Sequence, residues 1–248
     1  MTVRAQNENK KLLVSIHPMY ARVQLTQLNY PTPDFPNALT MFLRKHIEGS
    51  FIERIEQVGL DRILKITLRG RNEFKDLVEY HLYIEIMGKH SNFILTNKED
   101  KILECLKRVS PSDSIRIMQP GITYSYPPLL EKKNPFENRP ETTNLVKEFE
   151  GFSKDLAEEI ASRMEQGEDF KTIMNEIKES KELYITRGDK EKYHVIPLHC
   201  FGKKIDQYSL FDGLDAYYQL LIRRIVLNSR LLIFFILFRK NIQRMSIS

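Results

Sequence analysis

Between residues 64 and 69 the chain alternates strictly. Leu64, Ile66 and Leu68 are apolar, and Lys65, Thr67 and Arg69 between and after them are polar. Side chains of a strand point to opposite faces with a period of two, so this pattern predicts a strand with one buried face. Leu82, Ile84 and Ile86 repeat it, Phe93, Ile94 and Leu95 resume it within 92–96, and 101–107 reads as a further strand. Upstream, Leu12, Val14 and Ile16 alternate with Lys11, Leu13 and Ser15, with one exception at apolar Leu13, and Val23 and Leu25 alternate with Arg22 and Gln24. Ile52, Ile55 and Val58 lead into the turn-like Gly59. One helix interrupts the series. Asn37 is a capping residue, Leu39, Phe42, Leu43 and Ile47 recur at helical spacing, and Gly49 ends the helix near Glu48. Successive strands with a single helix before them predict an antiparallel or mixed sheet in an α+β fold.

The pattern then changes. Residues 110–140 are rich in proline and predict an irregular linker at a domain boundary. Ser153 caps a helix over 154–164 with Leu156, Ile160 and Met164 on one face, Gly167 breaks it, and a second helix follows from about Phe170 to Ile177. That pair predicts a short helical hairpin. Short strands are expected around 183–186 and 192–196, and the pattern from about Phe211 is helical.

With 42% hydrophobic and 29% charged residues, the 248-residue chain has the composition of a globular protein rather than a disordered one. Its net charge of +5 favours a polyanionic partner, though mildly. Cys105 and Cys200 stand apart, without a second Cys or a set of His residues at ligand spacing, so no metal is expected and a reducing compartment is. The polar opening Met1–Lys10 is unlike a secretory signal, and the apolar run Leu231–Phe238 is far below the ~20 residues of a bilayer-spanning helix.

Three clusters carry polar chemistry. In Gly59-Leu60-Asp61-Arg62, a carboxylate and a guanidinium stand side by side at the mouth of a strand. Asp61 suits an exocyclic amine and Arg62 a phosphate or base edge, while the plainer reading is a solvated turn. In Gly88-Lys89-His90-Ser91-Asn92, backbone at Gly88 can approach a phosphate and Lys89 neutralise it, while the plainer reading is a polar hairpin loop. Arg44, Lys45 and His46 form either an RNA-facing patch or cations favoured by the macrodipole at a helix C-terminus. His17, before Pro18, reads as a polar loop residue rather than a catalytic base. No Walker-type loop, dinucleotide glycine motif or nucleophile elbow occurs, and no carboxylate pair stands out, so a non-enzymatic role without cofactor is expected.

The runs Leu12–Arg22, Phe42–Gly49, Gln57–Arg62, Glu85–Asn92 and Val109–Ser112, in this order and spacing, resemble the NFACT family of ribosome quality control factors. The resemblance covers roughly residues 10–219. It implies an N-terminal domain over 1–140 resembling that of formamidopyrimidine-type DNA glycosylases without the excision chemistry. A helix-hairpin-helix module with short strands would follow over 141–210, and the start of a coiled-coil helix over 211–248. It also implies a cytosolic factor that binds the large ribosomal subunit holding a stalled peptidyl-tRNA, recruits alanyl-tRNA and supports alanine tailing of the nascent chain. In that family the motif falling here on Asp61 and Arg62 is implicated in tRNA recognition. Arg44, Lys45, His46, Lys89, His90 and Asn92 become candidate RNA contacts.

Two departures are visible. Members usually carry an early helix and an acidic residue before the strand that begins here near Leu12, so a domain shortened at its N-terminus is expected. From about residue 220, Leu- and Phe-rich sequence replaces the charged heptads of a coiled coil. A frameshift is the favoured explanation, and a basic tail touching a membrane the alternative. The family's older name adds a competing function, a surface adhesin that binds fibronectin. Fold analogy alone adds a third, a DNA glycosylase, against which the opening Met1-Thr2-Val3 counts.

Overall fold

The computed structural model describes residues 1–5, 8–30, 35–72, 74–128, 131–219 and 221. The readings placed beyond about residue 220 fall almost wholly outside these. The chain divides into two compact units, Met1–Met174 and Asn175–Ser248.

The first unit opens with an antiparallel sheet of β1 (Thr2–Ala5), β2 (Glu8–Ser15) and β3 (Arg22–Thr26). Polarity hid β1. Backbone pairing is indifferent to side chain, and Met1 and Leu12 exchange hydrogen bonds through the terminal amine at 2.9 Å and the Leu12 amide at 2.8 Å. Helix α1 (Ala38–Ile47) starts at Asn37, whose side chain accepts from the Thr40 amide at 2.8 Å. The five-stranded antiparallel sheet follows in chain order: β4 (Phe51–Gln57), β5 (Ile63–Arg71), β6 (Leu77–Glu85), β7 (Asn92–Asn97) and β8 (Ile102–Cys105).

Both faces of the sheet centre are covered, so Tyr80 to Glu85 of β6 are all buried. Ile66, Leu68, Tyr80, Leu82, Ile84, Phe93 and Leu95 form one face, packed against Leu39, Phe42, Leu43 and Ile47 of α1 and Val14 and Val23 of the first sheet. Tyr83, Ile94, Ile102 and Cys105 form the other, with Met118 and Tyr124. Those last two correct the linker reading of 110–140. The segment returns along the sheet, with the Ile102 amide donating to Ile122 at 2.8 Å, and buries Met118 and Tyr124 in the core. Proline there prevents regular structure without preventing burial.

A short helix α2 (Leu145–Glu148), unanticipated, precedes α3 (Lys154–Glu165) and α4 (Phe170–Glu179). Ser153 caps α3 by accepting from the Leu156 amide at 3.1 Å. The rings of Phe149, Phe152 and Phe170 cluster at centroid distances of 5.3–6.5 Å. The second unit holds an antiparallel sheet ordered β10 (Lys192–His194), β9 (Glu182–Arg187), β11 (Lys204–Ser209), and residues 210–219 are helical. Strand β11 was not legible because Lys204, Asp206 and Gln207 leave little apolar alternation.

Candidate nucleic-acid interface

Gly59, at φ +56°, lets the chain reverse between β4 and β5, a backbone conformation that costs a side-chain-bearing residue about 1 kcal/mol or more. The reversal is closed by the Val58 amide donating to Ile63 at 3.1 Å and the Asp61 amide to Val58 at 3.0 Å. The Gln57 side-chain amide adds a bond to the Asp61 carbonyl at 2.8 Å, and the Ile86 amide donates to the Arg62 carbonyl at 2.8 Å. The backbone is thus fixed at four points. The side chains are not: Asp61 and Arg62 are both exposed, and neither has a hydrogen-bond or ion-pair partner among the described residues.

Beyond Ile86 the chain enters a 3-10 turn over Gly88–His90, with Gly88 at φ +57°. Because β5 begins and β6 ends at this edge, the register Ile63 to Glu85 brings the two turns to the same end of the sheet. Lys89 and His90 are exposed. Lys107, which the sequence reading passed over, ties this end together: its ammonium donates to the Lys89 carbonyl at 3.1 Å and the Ile16 carbonyl at 3.4 Å. Asn92 lies elsewhere than expected. Its residue is 3% exposed, its amide nitrogen donates to the Lys107 carbonyl at 2.8 Å, and its oxygen accepts from the Lys107 and Phe93 amides at 2.9 Å each. Asn92 is a bridge inside the fold, and its side chain presents nothing to a ligand.

Arg44, Lys45 and His46 sit apart from these turns. The helix end carrying them runs into Ser50, which closes on Gly70, where any Cβ would meet the Ser50 hydroxyl at 2.3 Å. His46 donates from Nδ1 to the Phe42 carbonyl at 2.8 Å, stacks on Phe42 at 4.0 Å and meets Tyr80 edge-on at 5.9 Å. Tyr80 pairs with Leu68, about 17 Å along β5 from Ile63 at ~3.4 Å per residue. Arg44 and Lys45 are exposed, and His46 is half-buried as a packing residue. The expected contacts therefore fall into two groups at opposite ends of the sheet.

Beneath the first group lies a buried ion pair. Glu85, 1% exposed, is held by both terminal nitrogens of Arg116 and by the Tyr124 hydroxyl at 2.8 Å. Burial and the Glu85 charge push the Tyr124 phenol far up. Arg116 is occupied inside the fold, and the exposed charges at this end include Asp61, Arg62, Lys89 and Arg108, the last engaged with Glu104 at 3.1 Å. Among the described residues no group of three His, Cys, Asp or Glu could hold a metal ion. Burial pushes the Cys105 thiol up to about 11, away from nucleophilic use. The arrangement offers one guanidinium, one carboxylate and one ammonium on rigid turns, a set suited to binding a polyanion with exposed amines.

The family model for NFACT N-terminal and middle domains matches residues 1–244. The Rqc2 homolog RqcH of Bacillus subtilis (strain 168) is 37% identical over 240 residues, covering 87% of this chain and 42% of that protein. The Rqc2 homolog RqcH of Streptococcus pneumoniae serotype 2 is 40% identical over 174 residues, covering 64% and 32%. The chain spans less than half the length of these curated relatives. Among solved structures, the N-terminal part of the fibronectin/fibrinogen-binding protein from Streptococcus suis matches with a TM-score of 0.77 at 34% identity, covering 88% of this chain and 86% of that one.

Proposed function

The chain belongs to the NFACT family, and from that premise we propose that it is an RNA-binding ribosome quality control factor rather than an enzyme. In this reading it engages tRNA and the large ribosomal subunit that holds a stalled peptidyl-tRNA, and supports alanine tailing from the cytosol. Asp61 and Arg62 recognise the tRNA, Lys89 and His90 contact RNA beside them, and Arg44 and Lys45 form a separate contact. Helices α3 and α4 serve as a helix-hairpin-helix module, and the segment from 211 enters a coiled coil.

The observation that carries the reading is the pair Asp61 and Arg62, whose side chains are exposed and without partners among the described residues, on a turn whose backbone is fixed at four points. Charged side chains on rigid backbone that satisfy nothing inside the fold are suited to an external ligand. Cosedimentation with large ribosomal subunits, with and without bound tRNA, tests it, and absence from the subunit fraction contradicts it.

The names of the structural relatives favour one second reading, a surface protein that binds fibronectin. Among the described residues no helix is long and apolar enough to cross a membrane. Fractionation of cells producing the chain separates the two: an adhesin is recovered outside the membrane, and a ribosome factor with the ribosomes.

A further inference from the structure

A third turn meets the same end of the sheet. His17 to Tyr20 reverse the chain after β2, closed by the Tyr20 amide donating to the His17 carbonyl at 3.0 Å. Its position is set by two neighbours. Lys107 bonds the carbonyls of Ile16 and Lys89, so the two turns share one ammonium, and a Cβ on Gly88 would lie 3.7 Å from the Pro18 carbonyl. Within the turn, the rings of His17 and Tyr20 stack at 4.5 Å and 11°. Tyr20 is the inner ring: half-buried, with a hydroxyl that is buried and finds no partner among the described residues. Packing, not its polar end, holds it. Its carbonyl accepts from Arg22 at 3.0 Å, and Arg22 is itself 6% exposed. His17 is the outer ring and is exposed.

We propose that His17, backed by Tyr20, is a stacking platform for one unpaired nucleobase of the bound RNA. The proposal deepens the RNA-binding reading and rests on it. An aromatic ring stacked on a second ring is already flat and immobilised, so a base added to its open face loses little side-chain entropy on its behalf. Single-stranded RNA is recognised by such rings together with cations for the adjoining phosphates. The neighbouring Gly88–His90 turn supplies exposed Lys89 and His90. The His17 ring nitrogen Nδ1 accepts from the Met19 amide at 3.2 Å, which fixes the ring's rotation about its own bond. Arg22 holds the backbone carbonyl of Tyr20 and so helps to fix the turn that carries the inner ring.

The test uses the full chain and short single-stranded oligoribonucleotides carrying 2-aminopurine at successive positions, with fluorescence reporting stacking and anisotropy reporting affinity. One position is expected to quench on binding. His17→Ala, at an exposed position, is expected to abolish that quenching and weaken binding roughly tenfold, with the salt dependence unchanged because no phosphate contact is lost. His17→Phe is expected to restore the quenching. Unchanged quenching and affinity in His17→Ala, with Asp61→Ala/Arg62→Ala still impaired, overturn the platform and leave RNA binding standing. Absence of binding by the folded parent overturns both.

Discussion

The amide of Ile86 donates to the carbonyl of Arg62 at 2.8 Å. This bond extends the β5–β6 ladder by one step beyond its last pair, Ile63 with Glu85. It joins the turn that presents Asp61 and Arg62 to the strand that leads into Lys89 and His90. Two polar clusters more than twenty residues apart in sequence thereby share one rigid edge, and a substitution in either backbone is felt by both.

Gly59→Ala tests that rigidity. A Cβ there would find its nearest neighbour, a Glu150 carboxylate oxygen, at an ordinary 3.5 Å, so the cost is conformational, from φ +56°. The expected loss is about 1 kcal/mol in urea unfolding, with a smaller loss for Gly59→Asn. Equal stability of all three proteins would contradict the assigned backbone.

The Glu85–Arg116 pair supports the same edge from below. Removing one partner of a buried pair strands the other, so Arg116→Met is expected to cost about 3 kcal/mol or more. Arg62→Met, at an exposed side chain without a partner among the described residues, is expected to stay within about 0.5 kcal/mol. Equal effects of the two would show that Glu85 is not held as described.

Acid stability has a named contributor. The Glu148 carboxylate accepts from the Glu141 amide at 2.9 Å and the Thr142 amide at 3.0 Å and pairs with Lys133 at 3.2 Å, which brings its pKa down to about 2 from the ordinary 4.5. The folded pKa is the lower, so the unfolded chain takes up the proton first. The contribution is complete above about pH 5 and is lost as pH falls toward 2. Glu148→Gln is expected to flatten part of the fall in urea midpoint over that window, and an unchanged slope would remove Glu148 from the cause.

The two cysteines should part in reactivity. Cys200 is exposed, and Cys105 is buried with its thiol pushed up to about 11. N-ethylmaleimide on the native protein is expected to modify Cys200 alone at neutral pH, and both after denaturation. Modification of native Cys105 would contradict its burial.

Much of this was legible in sequence where a local pattern reports a local fact. The alternation at 64–69, the Asn37 and Ser153 caps and the Gly59 turn all appear where local chemistry puts them. What local pattern could not show needed long-range information. Asn92 looked like a ligand-facing amide because its partner, the Lys107 backbone, is fifteen residues away. Arg44, Lys45 and His46 stand with Lys89 as one set of candidates in sequence because charge carries no address, and the His46–Tyr80 contact with the Tyr80–Leu68 pair puts them at opposite ends of β5. Lys107 gave no signal, since its role is to bind two carbonyls that only folding brings together. The proline-rich stretch misled because proline forbids ladders, not burial.

The most direct measurement is binding of the parent chain, and of Asp61→Ala/Arg62→Ala, to tRNA and to large ribosomal subunits across a salt series. The parent is expected to bind in a salt-dependent manner. The double variant is expected to bind tRNA more weakly, with a salt slope shallower by about one for the lost phosphate contact of Arg62. Identical affinity and slope in the two proteins, or no binding by a parent shown to be folded, would contradict a tRNA site at this turn.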